Sequence, residues 1–457
     1  MMENILNLIK KTTPEDLNAL VIPPSYWGYP EKRVSKLLED SVNEIKKYGV
    51  RVNVLKPVIT FKDAKDIKIK GVASNYDFVV LLVMTWTEAA DMFYFIKDFL
   101  NKPVLLWGHT MWEEKDTDEF WDLGAFAGVG VVKKTLKDFG ANFKFIYGMP
   151  GENSIKAGLD LFIPAVKAIK KLNFSRIGLL GAPSMGMYTA WQDPLILEKV
   201  LGPNVNQIDQ YLLIEKVEKI KDKDIDPKIV DNLRKKWIID NNIGDELLIK
   251  NLKFVLSLID MINENYWDGF TIKCQYELST HYNFTPCLPL SIFADVIPCS
   301  CEGDLPLITT QILFNSIAES PVTYCDVHNI TENSLYLAAC GFSPLSLIKN
   351  KPNIARHSTL FKGLLNKEDY IEGKVTVGRL FVDHDGKAYF HLARGEARTV
   401  KKQFREMGCS LYPSMEVFVK DADAFAQNLA SQHYAIVFKD IYKEVMEFCK
   451  LKGVVVL

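Results

Sequence analysis

Residues 373–397 read GKVTVGRLFVDHDGKAYFHLARGEA. Val375, Val377, Leu380 and Val382 form a β-rich run between glycines. Asp385-Gly386 then gives a hairpin signal, because the tight two-residue turns between antiparallel strands need positive φ, which Asp and Gly tolerate. The stretch predicts a β-meander and, from it, a small antiparallel barrel late in the chain. Residues 442–451 read as a closing amphipathic helix and residues 454–457 as a short strand.

Upstream of about residue 345 the pattern differs. Residues 19–22 are apolar and stop at Pro23-Pro24. Residues 31–48 follow with helical periodicity, Val34, Leu37, Leu38, Val42 and Ile45 sharing one stripe. Residues 52–55 are strand-like, and 78–84 (FVVLLVM) and 103–107 (PVLLW) are continuous apolar runs of the kind buried on both faces. Strands alternating with helices imply covered, mostly parallel sheets. A second such unit begins near Lys171, with RIGLLG (176–181) as its first strand, followed by a turn and a helix. Further strands are expected at 269–273, 294–298 and 321–326, with helices across 217–262 and 305–318. The expected architecture is therefore two doubly wound α/β domains, residues 1–170 and 171–345, followed by an antiparallel β-barrel domain, residues 346–457.

Bulk properties bound the function. At 457 residues and 48% hydrophobic, the chain can bury the cores of two or three domains. A formal net charge of -2 offers no basic excess for a nucleic-acid partner. The longest apolar stretch, residues 78–86, is less than half a membrane span. Residues 1–11 lack the apolar run and small-residue cleavage site of a signal peptide. The eight cysteines are not spaced as a secreted disulfide scaffold. A cytoplasmic protein with reduced thiols is the expectation.

Several clusters carry chemistry. The turn Gly181-Ala-Pro-Ser-Met-Gly186 follows a strand, but it is neither of the glycine-rich phosphate fingerprints, so it reads as an ordinary turn and supports a nicotinamide cofactor only weakly. Cys299 and Cys301, with Cys274, Cys287 and Cys325, lack the CxxC pairs of a zinc site and read as buried free thiols. Glu302 and Asp304 follow one strand and Asp326 ends another. Carboxylates gathered at strand ends are tolerated where a cation lies between them, though solvated loop acids give the same pattern. Among the histidines, His109, His391 and His433 stand next to or within strands, and the pattern alone does not choose between them.

Together these segments resemble one family, the L-fucose isomerases and their arabinose isomerase relatives. Glu302 in CEGD and Asp326 in YCDVHN are similar to that family's paired metal-binding carboxylates, and His433 in LASQHYAIVFKD to its late metal-binding histidine. The turn PSMGM, the strand IKCQ and the segments LLVMTWTE and VLLWGHT resemble further family motifs. The resemblance runs from about residue 18 to 457. It implies an aldose–ketose isomerase working through an ene-diol intermediate. Glu302, Asp326 and His433 would hold Mn²⁺ (or another divalent cation), with Glu302 and Asp326 doubling as the acid/base pair. Gln275, Asn428, Tyr412, Trp86 and Met185 would contact the sugar. A homo-oligomer, trimer or hexamer, is implied too. The sequence departs from the family where an Arg is replaced at Pro23, a Trp by Tyr412 and another by Leu429. A neutral monosaccharide is the first expectation for the substrate. The altered pocket positions motivate a modified or anionic sugar as the alternative, and a non-catalytic sugar binder is a third reading.

Overall fold

The structure, a computed structural model, describes residues 6–10, 16–71, 75–113, 118–357, 362–400 and 413–457. The chain divides into two compact units: Pro14–Lys170 with Lys443–Val454, and Met1–Thr13, Lys171–Tyr442 and Val455–Leu457. Among the described residues no helix is long and apolar enough to cross a membrane.

The unit built mainly from Pro14–Lys170 holds one parallel sheet. Its strands are β1 (Asn18–Ile22), β2 (Arg51–Val54), β3 (Phe78–Val83), β4 (Val104–Gly108) and β5 (Phe143–Tyr147), in the order β2-β1-β3-β4-β5. Helices α1 (Glu31–Lys46), α2 (Phe61–Lys70), α3 (Ala89–Ile96), α4 (Ala125–Asp138) and α5 (Asn153–Phe174) alternate with them. Every residue of β3 and β4 is buried, which is why these segments read as unbroken apolar runs. Leu20, Val79, Leu81, Leu106 and Val132 belong to the core on one side. Just beyond β4, His109 is buried. Its Nε2 lies 2.9 Å from Ser41 Oγ, and its ring stacks on Trp107.

The larger unit begins with a second parallel sheet: β6 (Arg176–Leu180), β7 (Asn204–Ile208), β8 (Gly269–Ile272) and β9 (Cys299–Cys301), in the order β9-β8-β6-β7. Its helices are α6 (Pro194–Leu201), α7 (Gln210–Lys219), α8 (Pro227–Lys236), α9 (Asp245–Asn265), α10 (Cys287–Phe293) and α11 (Leu305–Ala318). Residues 294–298, expected as a strand, instead lie between α10 and β9. A short apolar run fits a helix end as well as a strand.

The barrel comprises β10 (Val322–Ile330), β11 (Ser334–Ala338), β12 (Gly373–Val382), β13 (Ala388–Arg398), β14 (Ser414–Val419) and β15 (His433–Val437). Neighbours run β12-β15-β10-β11-β14-β13, all antiparallel, and β12 pairs with β13 to close the ring. The hairpin foreseen at 373–397 is present, with Gly373 opposite Ala397 and Val382 opposite Ala388. Asp383 Oδ1 accepts from the N–H groups of Asp385 and Lys387, and Gly386 takes the positive φ of 77° that the turn needs. Residues 321–326, expected in the parallel sheet, instead open β10 of this barrel. Helix α11 is buried around most of its circumference, because it packs against parallel strand β8 as well as barrel strands β12 and β15. Its N-terminus is where the candidate site forms.

Candidate functional site

Parallel strands end together, and ligands gather beyond their carboxyl ends. Ile272 of β8 is opposite Leu180 of β6 and Cys301 of β9, so three loops emerge side by side: 181–186, 273–275 and 302–304. The first and third are locked to each other. Glu302 and Gly303 both have φ of 69°, a left-handed conformation in which a Glu is uncommon. The Ser184 N–H donates to Glu302 O at 2.9 Å. A Cβ on Gly303 would lie 2.4 Å from Ala182 O, so only glycine lets the loops approach this closely. Glu302 is turned back from the strand direction by this strained pair and is 6% exposed.

The barrel supplies the other side. Asp326 on β10 and His433 on β15 are direct cross-strand partners, which places their side chains on one face. His433 Nε2 lies 3.2 Å from Glu302 Oε2 and 3.3 Å from Asp326 Oδ1. The three side chains singled out by sequence, up to 131 residues apart (433 minus 302), thus meet around one nitrogen. Asp326 keeps its side chain 28% exposed and is the open edge of the group.

Asp304 orients the imidazole. It caps α11, Oδ1 accepting from Leu307 N–H, and its Oδ2 lies 2.9 Å from His433 Nδ1. Arg379 of β12, 1% exposed, donates to both Asp304 oxygens, at 3.0 and 3.1 Å, and to the carbonyls of His433 and Thr189. Burial alone would raise the Asp304 pKa. The Arg379 charge, helped by His433, overcomes that and brings it down to about 2. An ionised Asp304 can only accept, so Nδ1 carries a proton and Nε2 of a neutral ring presents a lone pair to two carboxylates. Burial disfavours a charged His433. The Asp326 charge and the hydrogen bonds with Asp304 and Glu302 outweigh burial and hold its pKa well above the ordinary value. In this state the imidazolium acts as the cation between the acids. A carboxylate–histidine pair aiming the other ring nitrogen at further oxygen ligands is the usual support of a metal site, and this donor set fits a divalent ion of the Mn²⁺ type. Asp304 was read from sequence only as one of the strand-end carboxylates, without this orienting role, and Arg379 was not singled out. The signals were an N-cap Asp before Leu305-Pro306 and a lone Arg within the apolar strand VTVGRLFV.

The expected sugar contacts fall unevenly. Gln275 is 5% exposed and stands in the loop after β8. Met185 is exposed, has φ of 50° and follows the buried Ser184, whose Oγ has no hydrogen-bond partner among the described residues. Asn428 is exposed, and its amide donates to Ala424 O at the end of helix α12 (Ala422–Gln427). Trp86 belongs to the other compact unit, where its backbone N–H donates to Leu123 O. Tyr412 lies outside the described residues. The turn 181–186 does not open directly onto an α-helix. A single 3₁₀ turn, Tyr188–Ala190, follows, and α6 starts only at Pro194, so the context for dinucleotide phosphate binding is missing.

A second group adjoins the first. Cys274, Cys301 and Glu302, all buried, offer ligand atoms within 4.8 Å of one another. The Cys301 thiol is drawn below its usual range by hydrogen bonds with Cys274 and Cys340, against the effect of burial.

No family model matches the chain. Three curated proteins do. A sulfoquinovose isomerase of Alkalicoccus urumqiensis is 22% identical over 408 residues, covering 86% of this chain and 88% of that one. Sulfoquinovose isomerases of Priestia aryabhattai and Priestia megaterium are each 22% identical over 392 residues, covering 84% of this chain and 85% of theirs.

Proposed function

We propose that this protein is an aldose–ketose isomerase acting on an anionic sugar, with Glu302, Asp326 and His433 holding a divalent cation, Mn²⁺ by donor chemistry. The similarity to three sulfoquinovose isomerases over some 85% of each chain supports an isomerase. It favours the charged-sugar alternative over the neutral monosaccharide first expected from the family resemblance. Sulfoquinovose is a hexose bearing a sulfonate, and a sulfonated or similarly charged aldose is the proposed substrate.

One observation carries the chemistry: Glu302 Oε2 and Asp326 Oδ1 lie 3.2 and 3.3 Å from His433 Nε2. The imidazolium proton balances the two acids in the metal-free protein, and a divalent cation would take the place of that proton. A divalent cation held by Glu302, Asp326 and His433 would supply Lewis-acid stabilisation of the negative charge that develops on the sugar oxygens as a hydrogen moves between C1 and C2. The protein's own contribution is to position bases. Glu302, fixed by its left-handed backbone and nearly buried, and Asp326, at the open edge, are the candidates to take the proton from one carbon and return it to the other. Each such transfer contributes about 10²–10⁴-fold. Asp304 holds a proton on His433 Nδ1 and so orients the ring with Nε2 toward Glu302 and Asp326. Gln275, buried in the loop after β8, and Ser184, whose buried Oγ has no hydrogen-bond partner among the described residues, are the candidates to hold hydroxyl groups.

A panel of aldoses assayed for ketose formation with Mn²⁺ tests the reading. Sulfoquinovose turns over, L-fucose and D-glucose do so far more slowly, and Glu302→Gln and Asp326→Asn abolish turnover without changing the far-ultraviolet circular dichroism. Equal rates on neutral hexoses overturn the charged-sugar assignment, and full activity in either variant removes that carboxylate from the mechanism.

A further inference from the structure

Cys301 is the last residue of β9, opposite Ile272 at the end of β8, and Cys274 follows two residues after that end. Sheet register thus brings the two thiols together, and Cys301 Sγ also shares a hydrogen bond with the Tyr324 hydroxyl. Glu302, the residue after Cys301, turns back through its positive φ, and its carboxylate completes the group within 4.8 Å. Both thiols are 2% exposed. Buried thiols beside a carboxylate are not explained by the isomerase reading, which uses only oxygen and nitrogen donors.

We propose that Cys274, Cys301 and Glu302 form a second metal site, selective for a thiophilic divalent cation of the Zn²⁺ or Cd²⁺ class. Two sulfurs and one carboxylate, with a fourth position left for water, suit tetrahedral coordination. Metal–sulfur bonds of about 2.3 Å set ligand separations near 3.8 Å in a tetrahedron, so the group closes on an ion by moving about an ångström. Sulfur donors favour Zn²⁺ over Mn²⁺, whereas the Glu302–Asp326–His433 set has none. Binding releases the thiol protons. Because Glu302 belongs to both sets, a thiophilic ion withdraws it from the other, and Zn²⁺ or Cd²⁺ then lowers Mn²⁺ occupancy at least tenfold. That last consequence rests on the proposed isomerase site, but the thiol site does not.

Titration of the chelator-treated protein with Cd²⁺, followed by thiolate-to-metal absorption in the ultraviolet, decides the matter without any turnover. The expected result is a band saturating at one equivalent, lost in Cys274→Ala and in Cys301→Ser and retained in Cys287→Ser. Cys274→Ala removes only a sulfur from a buried position, and circular dichroism verifies its fold. No band, or a band that survives both Cys274→Ala and Cys301→Ser, overturns the site. If the band behaves as expected while no sugar is isomerised, the thiol site stands and the isomerase reading is what fails.

Discussion

The residue that organises the site is Asp304, which touches Leu307, His433 and Arg379 at once. It caps α11, neutralises Arg379 and fixes the tautomer of His433. Asp304→Asn preserves the cap oxygen but leaves Arg379 as an uncompensated buried charge. Breaking such a pair costs about 3–5 kcal/mol. Urea unfolding checks it, and a loss below about 1 kcal/mol would show that the pair does not hold the structure. A second residue-scale prediction concerns acid. Burial lowers the His109 pKa to about 4, from the usual value of about 6.5 in an unfolded chain. The folded state therefore binds the proton less readily, so this stability is complete above pH 6.5 and drains away as pH falls below it. The loss from this group is about 2 kcal/mol at pH 5. The variant His109→Asn should show a shallower fall in unfolding free energy between pH 7.5 and 5 than the parent, and identical slopes would contradict the assignment.

At the scale of elements, the site depends on two loops at the ends of β6 and β9 interlocking at short range. Gly303→Ala places a Cβ against the Ala182 carbonyl and also into a left-handed backbone. Strain and overpacking together cost about 2–4 kcal/mol and push Glu302 off its position. Thermal melting and Mn²⁺ affinity should both fall, and a variant with parental Mn²⁺ affinity would mean that the loop contact does not set the geometry. Elements were largely legible in the sequence. The fully buried β3 and β4 announced themselves as apolar runs, and the hairpin of β12 and β13 as an Asp-Gly turn between alternating strands. Strand β10 was legible as a strand but not as a barrel strand. Its first residues are buried on both faces, as in a parallel sheet, and only its later, exposed half departs from that pattern. Arg379 stayed hidden because its partner lies 75 residues away, and only a folded barrel brings a lone Arg in an apolar strand to an N-cap carboxylate.

For the whole molecule, two parallel sheets and a closed six-stranded barrel are joined in a chain whose candidate site lies in the larger unit, where the parallel sheet, α11 and the barrel meet. The Glu302–Asp326–His433 group became visible from sequence through family resemblance, since periodicity and spacing alone left the acids and histidines ambiguous. The sugar contacts expected from Gln275, Asn428, Tyr412, Trp86 and Met185 rest on the family resemblance alone. The changes at Pro23, Tyr412 and Leu429 motivated the charged-sugar alternative, and the likeness to sulfoquinovose isomerases is what the proposal of an anionic sugar rests on. The account as a whole rests on three side chains sharing one ion. Equilibrium Mn²⁺ binding to the chelator-treated protein, measured by electron paramagnetic resonance, tests this most directly. It should give one site per chain, weakened at least tenfold in each of Glu302→Gln, Asp326→Asn and His433→Ala. Parental binding in all three variants, or no binding to the parent, would contradict it.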